Sequence, residues 1–252
     1  MLISVAWTII HPLIALLALG LAAFWSPWFV LLAAVALSWS VHVYFHVGVH
    51  QLRGNWWGAV GGALATPIMG FPFDGYRLHH RNHHRFDNGV EDVSRTWTPT
   101  ASGPRPRSVL IYVLAWPIDL WSSRQWMRQE VAAGAVELWV RRRIAFQQVL
   151  LLGLVGSLFW WDPRLGGFYL LYLYLGWACI ALHNYGQHPP VAGVARSLHG
   201  RWYNRLTANN GLHAEHHAQP ATPIPALVPD PQARQTRWPH PLTALVEGRA
   251  HE

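Results

Sequence analysis

Apolar residues in this chain gather in long blocks instead of alternating, and each block closes at a turn rich in Pro, Asp or Trp. Two nearly unbroken runs, from about Ile3 to Phe24 and from about Trp28 to Val49, flank the turn Trp25-Ser26-Pro27. A second pair, from about Ile144 to Trp160 and from about Leu165 to Leu182, flanks Asp162-Pro163-Arg164. Each run has roughly the 20 residues that a helix needs to cross a bilayer core, so the pattern predicts two transmembrane helical hairpins, about four spans. Between them, Trp56 to Phe73 is apolar but Gly-rich and interrupted by Pro67 and Pro72, and Val109 to Trp121 is too short to cross comfortably. Both read as interfacial or re-entrant helices. The polar remainder, residues 74–108, 122–143 and 183–252, is expected to form a cytoplasmic, histidine-rich cap, with irregular surface chain after Pro220. The expectation is an all-α integral membrane protein, one domain over residues 1–252.

Composition agrees: 52% of residues are hydrophobic, 12% are charged and 16 are Trp, which is unusual for a soluble enzyme. The net charge of +7 comes from arginine alone, since no Lys occurs. Arg141, Arg142 and Arg143 precede the third span, and the positive-inside tendency puts them in the cytoplasm and the Asp162 turn outside. Trp25, Trp28, Trp160 and Trp161 suit an aromatic belt at the outer interface. No basic run interleaved with aromatics suggests nucleic acid. The single cysteine, Cys179, excludes an intramolecular disulfide. MLISVAW lacks a basic leader and a cleavage site, so the first apolar run is expected to be retained. A bacterial inner membrane is the expected location.

Histidine changes the picture from a membrane protein to a candidate enzyme. Of 16 histidines, twelve cluster: His42, His46 and His50 in HVYFHVGVH, His79, His80, His83 and His84 in HHRNHH, His183 and His188 around HNYGQH, and His213, His216 and His217 in HAEHH. All four clusters fall on the predicted cytoplasmic side. Imidazoles crowded against a bilayer incur a desolvation penalty unless their acceptor nitrogens are satisfied, and metal ligation satisfies them. Imidazole suits Zn, Cu, Fe and Ni, and one ion takes too few ligands to absorb so many histidines, so two or more ions are expected. HExxH is absent, as is the helical Glu-x-x-His of soluble carboxylate-bridged di-iron proteins. A histidine-rich metal transporter is the rival class, but it requires ionisable ligands at mid-membrane depth, and the span centre Leu151 to Leu158 has none. His11, His199, His240 and His251 lie outside the clusters and are expected to be bystanders.

The spacing H-x3-H (His46, His50), H-x2-H-H (His80, His83, His84) and H-x2-H-H (His213, His216, His217) resembles the three histidine boxes of the membrane fatty acid desaturase and hydroxylase superfamily. Asn184 and His188, four apart before the last box, match a further element of that pattern. The resemblance spans about residues 40 to 220. It implies a di-iron centre held by these nine histidines, with Asn184 acting through a water, that uses O2 to oxidise an unactivated C–H bond of a lipid or acyl chain. It also implies an external electron donor of ferredoxin, rubredoxin or cytochrome type, since no GxGxxG, Cys-rich or flavin motif occurs. The three-residue gap of the first box is similar to hydroxylases, carotenoid ketolases and several bacterial desaturases, and the HAEHHAQP ending to carotenoid ketolases, whereas NGVEDVSRTW after the second box is similar to bacterial acyl-lipid or acyl-carrier desaturases. Desaturation is the favoured reaction, with hydroxylation or ketone formation as the alternative. Metal-bound histidines usually give their second N–H to an oxygen. Asp74, Asp87, Glu91, Asp92 and Glu215, with the neighbouring His42, His79 and His183, are the candidates for supporting the ligands.

Overall fold

The long apolar runs fold as helices in the computed structural model, which describes residues 2–51, 56–190 and 192–248. The first is α1 (Leu2–Phe24), closed where the amides of Trp25 and Ser26 both reach the Leu21 carbonyl. The second begins as α2 (Phe29–Ser40), widens into a π-helical turn over Val41–Phe45 and continues as α3 (His46–Gln51). The π turn departs from the regular helix expected through HVYFHVGVH, and such turns are frequent at functional sites. The middle of the chain forms α4 (Trp56–Met69), α5 (Phe73–Phe86), α6 (Val109–Leu114) and α7 (Trp116–Ala132). The later apolar pair forms α8 (Leu138–Trp161) and α9 (Pro163–Gln187). Asp162 caps α9 by accepting the Arg164 amide, and Pro163 occupies the first helical position, where a missing N–H is harmless. Among the described residues, three stretches are long and apolar enough to cross a membrane: Phe29–His50, Leu138–Trp161 and Pro163–Gln187. Ile10–Phe24 and Gly58–Met69 are shorter apolar helices.

The chain divides into two compact units. The first comprises Val5–Leu78 and Met127–Trp177. Its outer surface is apolar: on α8, Val149, Leu152, Trp160 and Trp161 are all exposed, Leu152 by 71%. A surface of this kind suits lipid and not water. Inside, the last carbonyls of α4 have no further helical turn to donate to them, and α9 supplies the donors. Tyr169 and Tyr172 hydroxyls donate to the carbonyls of Pro67 and Ile68 at 2.5 and 2.8 Å, and the Trp177 indole donates to that of Met69 at 2.8 Å. Gly70 then turns the chain at φ +65, where a Cβ would lie 2.3 Å from Leu173.

Asp74, a candidate for supporting the ligands, is spent within this unit. Its fully buried carboxylate accepts from Arg143 Nε at 2.9 Å and Gln147 Nε2 at 2.8 Å, and from Arg77 at 3.3 Å. Its amide donates to Gln147 Oε1, and Arg143 also reaches the Gly58 carbonyl. Arg143, expected as a plain membrane-flanking charge, is therefore paired. His42 Nδ1 turns back to the Ser38 carbonyl at 3.2 Å. His11, expected as a bystander, stacks on Trp39 with ring centres 5.6 Å apart.

The other unit comprises Met1–Ser4, His79–Trp126 and Ala178–Glu252. It contains one element that the all-α expectation lacks, an antiparallel hairpin of β1 (Trp97–Thr100) and β2 (Gly103–Pro106) turned by Gly103 at φ +114. The remaining elements are α10 (Arg201–Leu206), α11 (His213–Ala218), a short 3-10 turn at Ile224–Ala226 and α12 (His240–Gly248). The chain after Pro220 is thus not irregular throughout. Ala244 of α12 is buried with Val109 and Tyr112 of α6 and Tyr185 of α9. Gly186 permits this: a Cβ there would lie 1.8 Å from the His240 carbonyl oxygen. His251 lies outside the described residues.

Candidate metal centre

Two short histidine-bearing stretches, the end of α5 and the whole of α11, generate two separate groups of imidazoles. On a helix, positions i and i+4 share a face while i+3 is rotated away from i by about 60°. In α5, His80 and His84 accordingly join one group and His83 the other; in α11, His216 joins the first group and His213 and His217 the second. The same H-x2-H-H spacing is thus used in opposite allotment by the two helices. His188, at the end of α9, completes the second group.

In the second group, His83, His188, His213 and His217 present ligand nitrogens that all lie within 4.8 Å of one another. Three of the four rings are tethered through Nδ1: His83 to Asp92 at 2.8 Å, His188 to the Val194 carbonyl at 3.2 Å, and His217 to Asp87 at 3.0 Å. These tethers direct each Nε2 inward. Nε2 of His83 and of His217 is buried with no hydrogen-bond partner, and Nε2 of His188 faces Nε2 of His213 at 2.8 Å. Four converging acceptors, two without a donor, fit a shared cation. Burial, followed by the neighbouring imidazoles, holds His188 and His213 well below the usual histidine range, so both are neutral and carry a lone pair. Burial also lowers His217. At His83 burial pulls down too, but the charge and hydrogen bond of Asp92 outweigh it and raise the group, so the carboxylate makes this ring the more basic donor.

Asp92 owes its position to the loop after α5. Asp87 and Asn88 adopt left-handed conformations, φ +38 and +58, that end the helix. Asp92 then folds back: Oδ2 accepts the Asn88 amide at 2.8 Å, and Oδ1 accepts the amide and hydroxyl of Ser94, both at 2.8 Å. Burial would raise this carboxyl, but His83 and the Ser94 donors hold it well below the usual range. Asn88 binds the loop to the segment just after α9 by donating to the Pro189 carbonyl at 2.7 Å. NGVEDVSRTW therefore has a structural task, that of holding Asp92 against His83.

In the first group, His80, His84 and His216 bring ligand nitrogens within the same 4.8 Å, with His84 Nε2 and His80 Nε2 3.0 Å apart. The two groups adjoin: the rings of His84 and His217 stack with centres 4.4 Å apart. His46 and His50 belong to the other unit, one turn apart on α3 with ring centres separated by 5.6 Å.

Neighbours of the box residues have partners of their own. His79 Nδ1 meets Ser123 Oγ at 3.0 Å, and burial pushes the ring down to about 4. His183 Nε2 lies 3.2 Å from both His240 Nδ1 and the Tyr203 hydroxyl. The Asn184 amide nitrogen donates to the Tyr112 hydroxyl at 2.7 Å and to the Ser94 carbonyl at 3.3 Å. Glu91 is exposed, and its carbonyl accepts from Asn82. Glu215 is buried and accepts from His199 Nε2 at 2.6 Å and from Ser197. His199 and His240, read as bystanders, are thus built into the unit: His240 is fully buried with its ring centre 6.5 Å from that of His213. Both lie far in sequence from the groups they touch, and no spacing signals them. Tyr112, Ser94 and Val194 were likewise invisible, the last because it acts through its backbone.

A model of the fatty acid desaturase family matches residues 22–230, most of the chain and every histidine of the two imidazole groups. Comparison with curated proteins gives no match. The family is one of membrane oxidoreductases acting on lipid, and the exposed apolar helices and the two imidazole groups are consistent with both properties. The chain belongs to the fatty acid desaturase family.

Proposed function

We propose that this protein is an O2-dependent, two-iron enzyme that desaturates a fatty acyl chain, its two units acting as one desaturase-like domain. The observation that carries the reading is the pair of buried imidazole groups fed by the same two helices. One ion is assigned to His83, His188, His213 and His217. The other is assigned to His80, His84 and His216, with His46 and His50 as further ligands on the strength of the first box's spacing; Asn184 acts through a water. Bound iron would supply O2 activation and an oxidant able to remove hydrogen from an unactivated C–H bond. The chain's own residues fix the tautomers of His83, His217 and His188 through Asp92, Asp87 and the Val194 carbonyl, and exclude water. Electrons are proposed to come from a ferredoxin, rubredoxin or cytochrome. Expression with a compatible reductase, followed by mass spectrometry of total lipids, tests the reaction. Loss of two hydrogens is the expected change; gain of one oxygen would instead mean hydroxylation, and replacement of two hydrogens by oxygen a ketone.

We further propose that the metal groups face the cytoplasm across a bacterial inner membrane, because Arg141, Arg142 and Arg143 open α8 while Trp160 and Trp161 close it. With Cys179 replaced by Ser, Asp162→Cys at the half-buried turn between α8 and α9, or Glu91→Cys at an exposed loop position, reports sidedness. An impermeant thiol reagent added outside should label the first and spare the second until the membrane is opened. The reverse order would overturn the orientation.

A further inference from the structure

We propose that Ser197, His199 and Glu215 form a positioning latch that sets α11, and through it both metal groups at once. The inference rests on the two-metal reading above. Helix α11 is six residues long, and the residue preceding it, Leu212, offers no side-chain cap. A helix this short is not stable by itself, so its orientation must come from outside. Ser197 supplies the missing cap from a distant segment: its Oγ accepts the Ala214 amide at 2.9 Å. The same hydroxyl donates to Glu215.

Glu215 lies two residues from both His213 and His217, about 200° around the helix from each, so its side chain leaves on the opposite side. There the carboxylate accepts three donors: Ser197 Oγ, His199 Nε2 at 2.6 Å and the Asp230 amide at 2.9 Å. Ser197 is itself fixed, its amide donating to the Arg234 carbonyl at 2.8 Å and its carbonyl accepting from the Thr236 amide at 2.7 Å. Gly211, just before α11, packs so closely on this segment that a Cβ would lie 2.8 Å from the Leu198 carbonyl oxygen. The glutamate of HAEHH thus holds the helix and not a neighbouring imidazole. Because α11 gives His216 to one group and His213 and His217 to the other, slackening the latch disturbs both.

The test uses the full chain purified in detergent, stripped of metal and titrated anaerobically with Fe(II) against a competing chelator. Glu215→Ala should weaken both ions by about ten- to a hundredfold, as loss of support for ligands generally does. Glu215→Gln keeps an acceptor for His199 and the Asp230 amide and should restore most of that loss, a rescue not expected if only bulk at this position mattered. Ser197→Ala should give a smaller loss, again at both ions. Hydrogen exchange of the α11 amides, measured without metal, should quicken in Glu215→Ala and Ser197→Ala. A folded Glu215→Ala with wild-type affinity at both ions, or a loss confined to one ion, would overturn the latch. If Glu215→Ala does not fold, Ser197→Ala decides: unaltered affinity and unaltered exchange overturn it. If the wild-type chain takes up fewer than two ions, the two-metal reading fails, while the exchange measurement still judges the latch.

Discussion

Alanine at His188 is expected to remove one iron from the reconstituted protein, leave the other in place and abolish product. His188 supplies a ligand to the second group alone, and its loss leaves His83, His213 and His217 around a site with a missing donor. His84→Ala should remove the other ion, because His84 joins His80 and His216. The double variant should hold none. Elemental analysis after anaerobic iron reconstitution reads the stoichiometry, paired with activity because Zn can displace Fe(II) at imidazole sites. His79→Ala and His183→Ala serve as comparisons: their rings engage Ser123 in one case and His240 and Tyr203 in the other, so both variants should retain two ions. A His188→Ala protein that kept two ions and turned over would refute the assignment. Loss of iron in His79→Ala with retention in His80→Ala would shift the register of the second box by one.

Asp92→Ala should be the most damaging change at a residue that is not a proposed ligand. The carboxylate is fully buried and serves His83 Nδ1, the Asn88 amide, the Ser94 amide and the Ser94 hydroxyl. Removing one member of a buried charged network leaves its partners stranded, at a cost of about 3–5 kcal/mol. Thermal unfolding in detergent should show that loss even without metal. Iron affinity should fall as well, since His83 would no longer have its tautomer fixed. Glu91→Ala, one residue away but exposed, should change neither quantity. Equal, small effects of the two substitutions would show that the loop after α5 does not support the ligands.

Much of this protein is legible in its chain. The apolar runs locate the long helices, because burying unpaired backbone polar groups in hydrocarbon leaves helix as the economical solution, though α8 starts six residues before the expected Ile144 and α9 ends five after Leu182. Asp162-Pro163 marks the start of α9 for equally local reasons, a capping carboxylate followed by a residue without an N–H. The histidine spacings indicate metal, since an i, i+4 pair presents two rings on one face. Where local periodicity is interrupted, the reading fails. The π turn at Val41–Phe45 alters the phase of His42 against His46, and the β1–β2 hairpin forms within a segment that carries no strand alternation.

By itself, then, the sequence determined the membrane helices, the positions of the histidine boxes and the directions in which neighbouring rings leave each helix. Only the tertiary structure decided which rings meet. H-x2-H-H reads identically at His80 and at His213, yet α5 gives two histidines to the first group and α11 gives two to the second. Tertiary structure also sorted the acids: Asp92 to His83, Asp74 to Arg143 and Gln147, Glu215 to Ser197 and His199. The physical reason is that spacing fixes an angle on one helix, whereas a ligand set or a buried hydrogen bond needs a second surface at about 3 Å. Here those second surfaces come from segments remote in sequence, such as Ser197 and His240, or from a loop that folds back, as the Val194 carbonyl does, and folding alone brings them within reach.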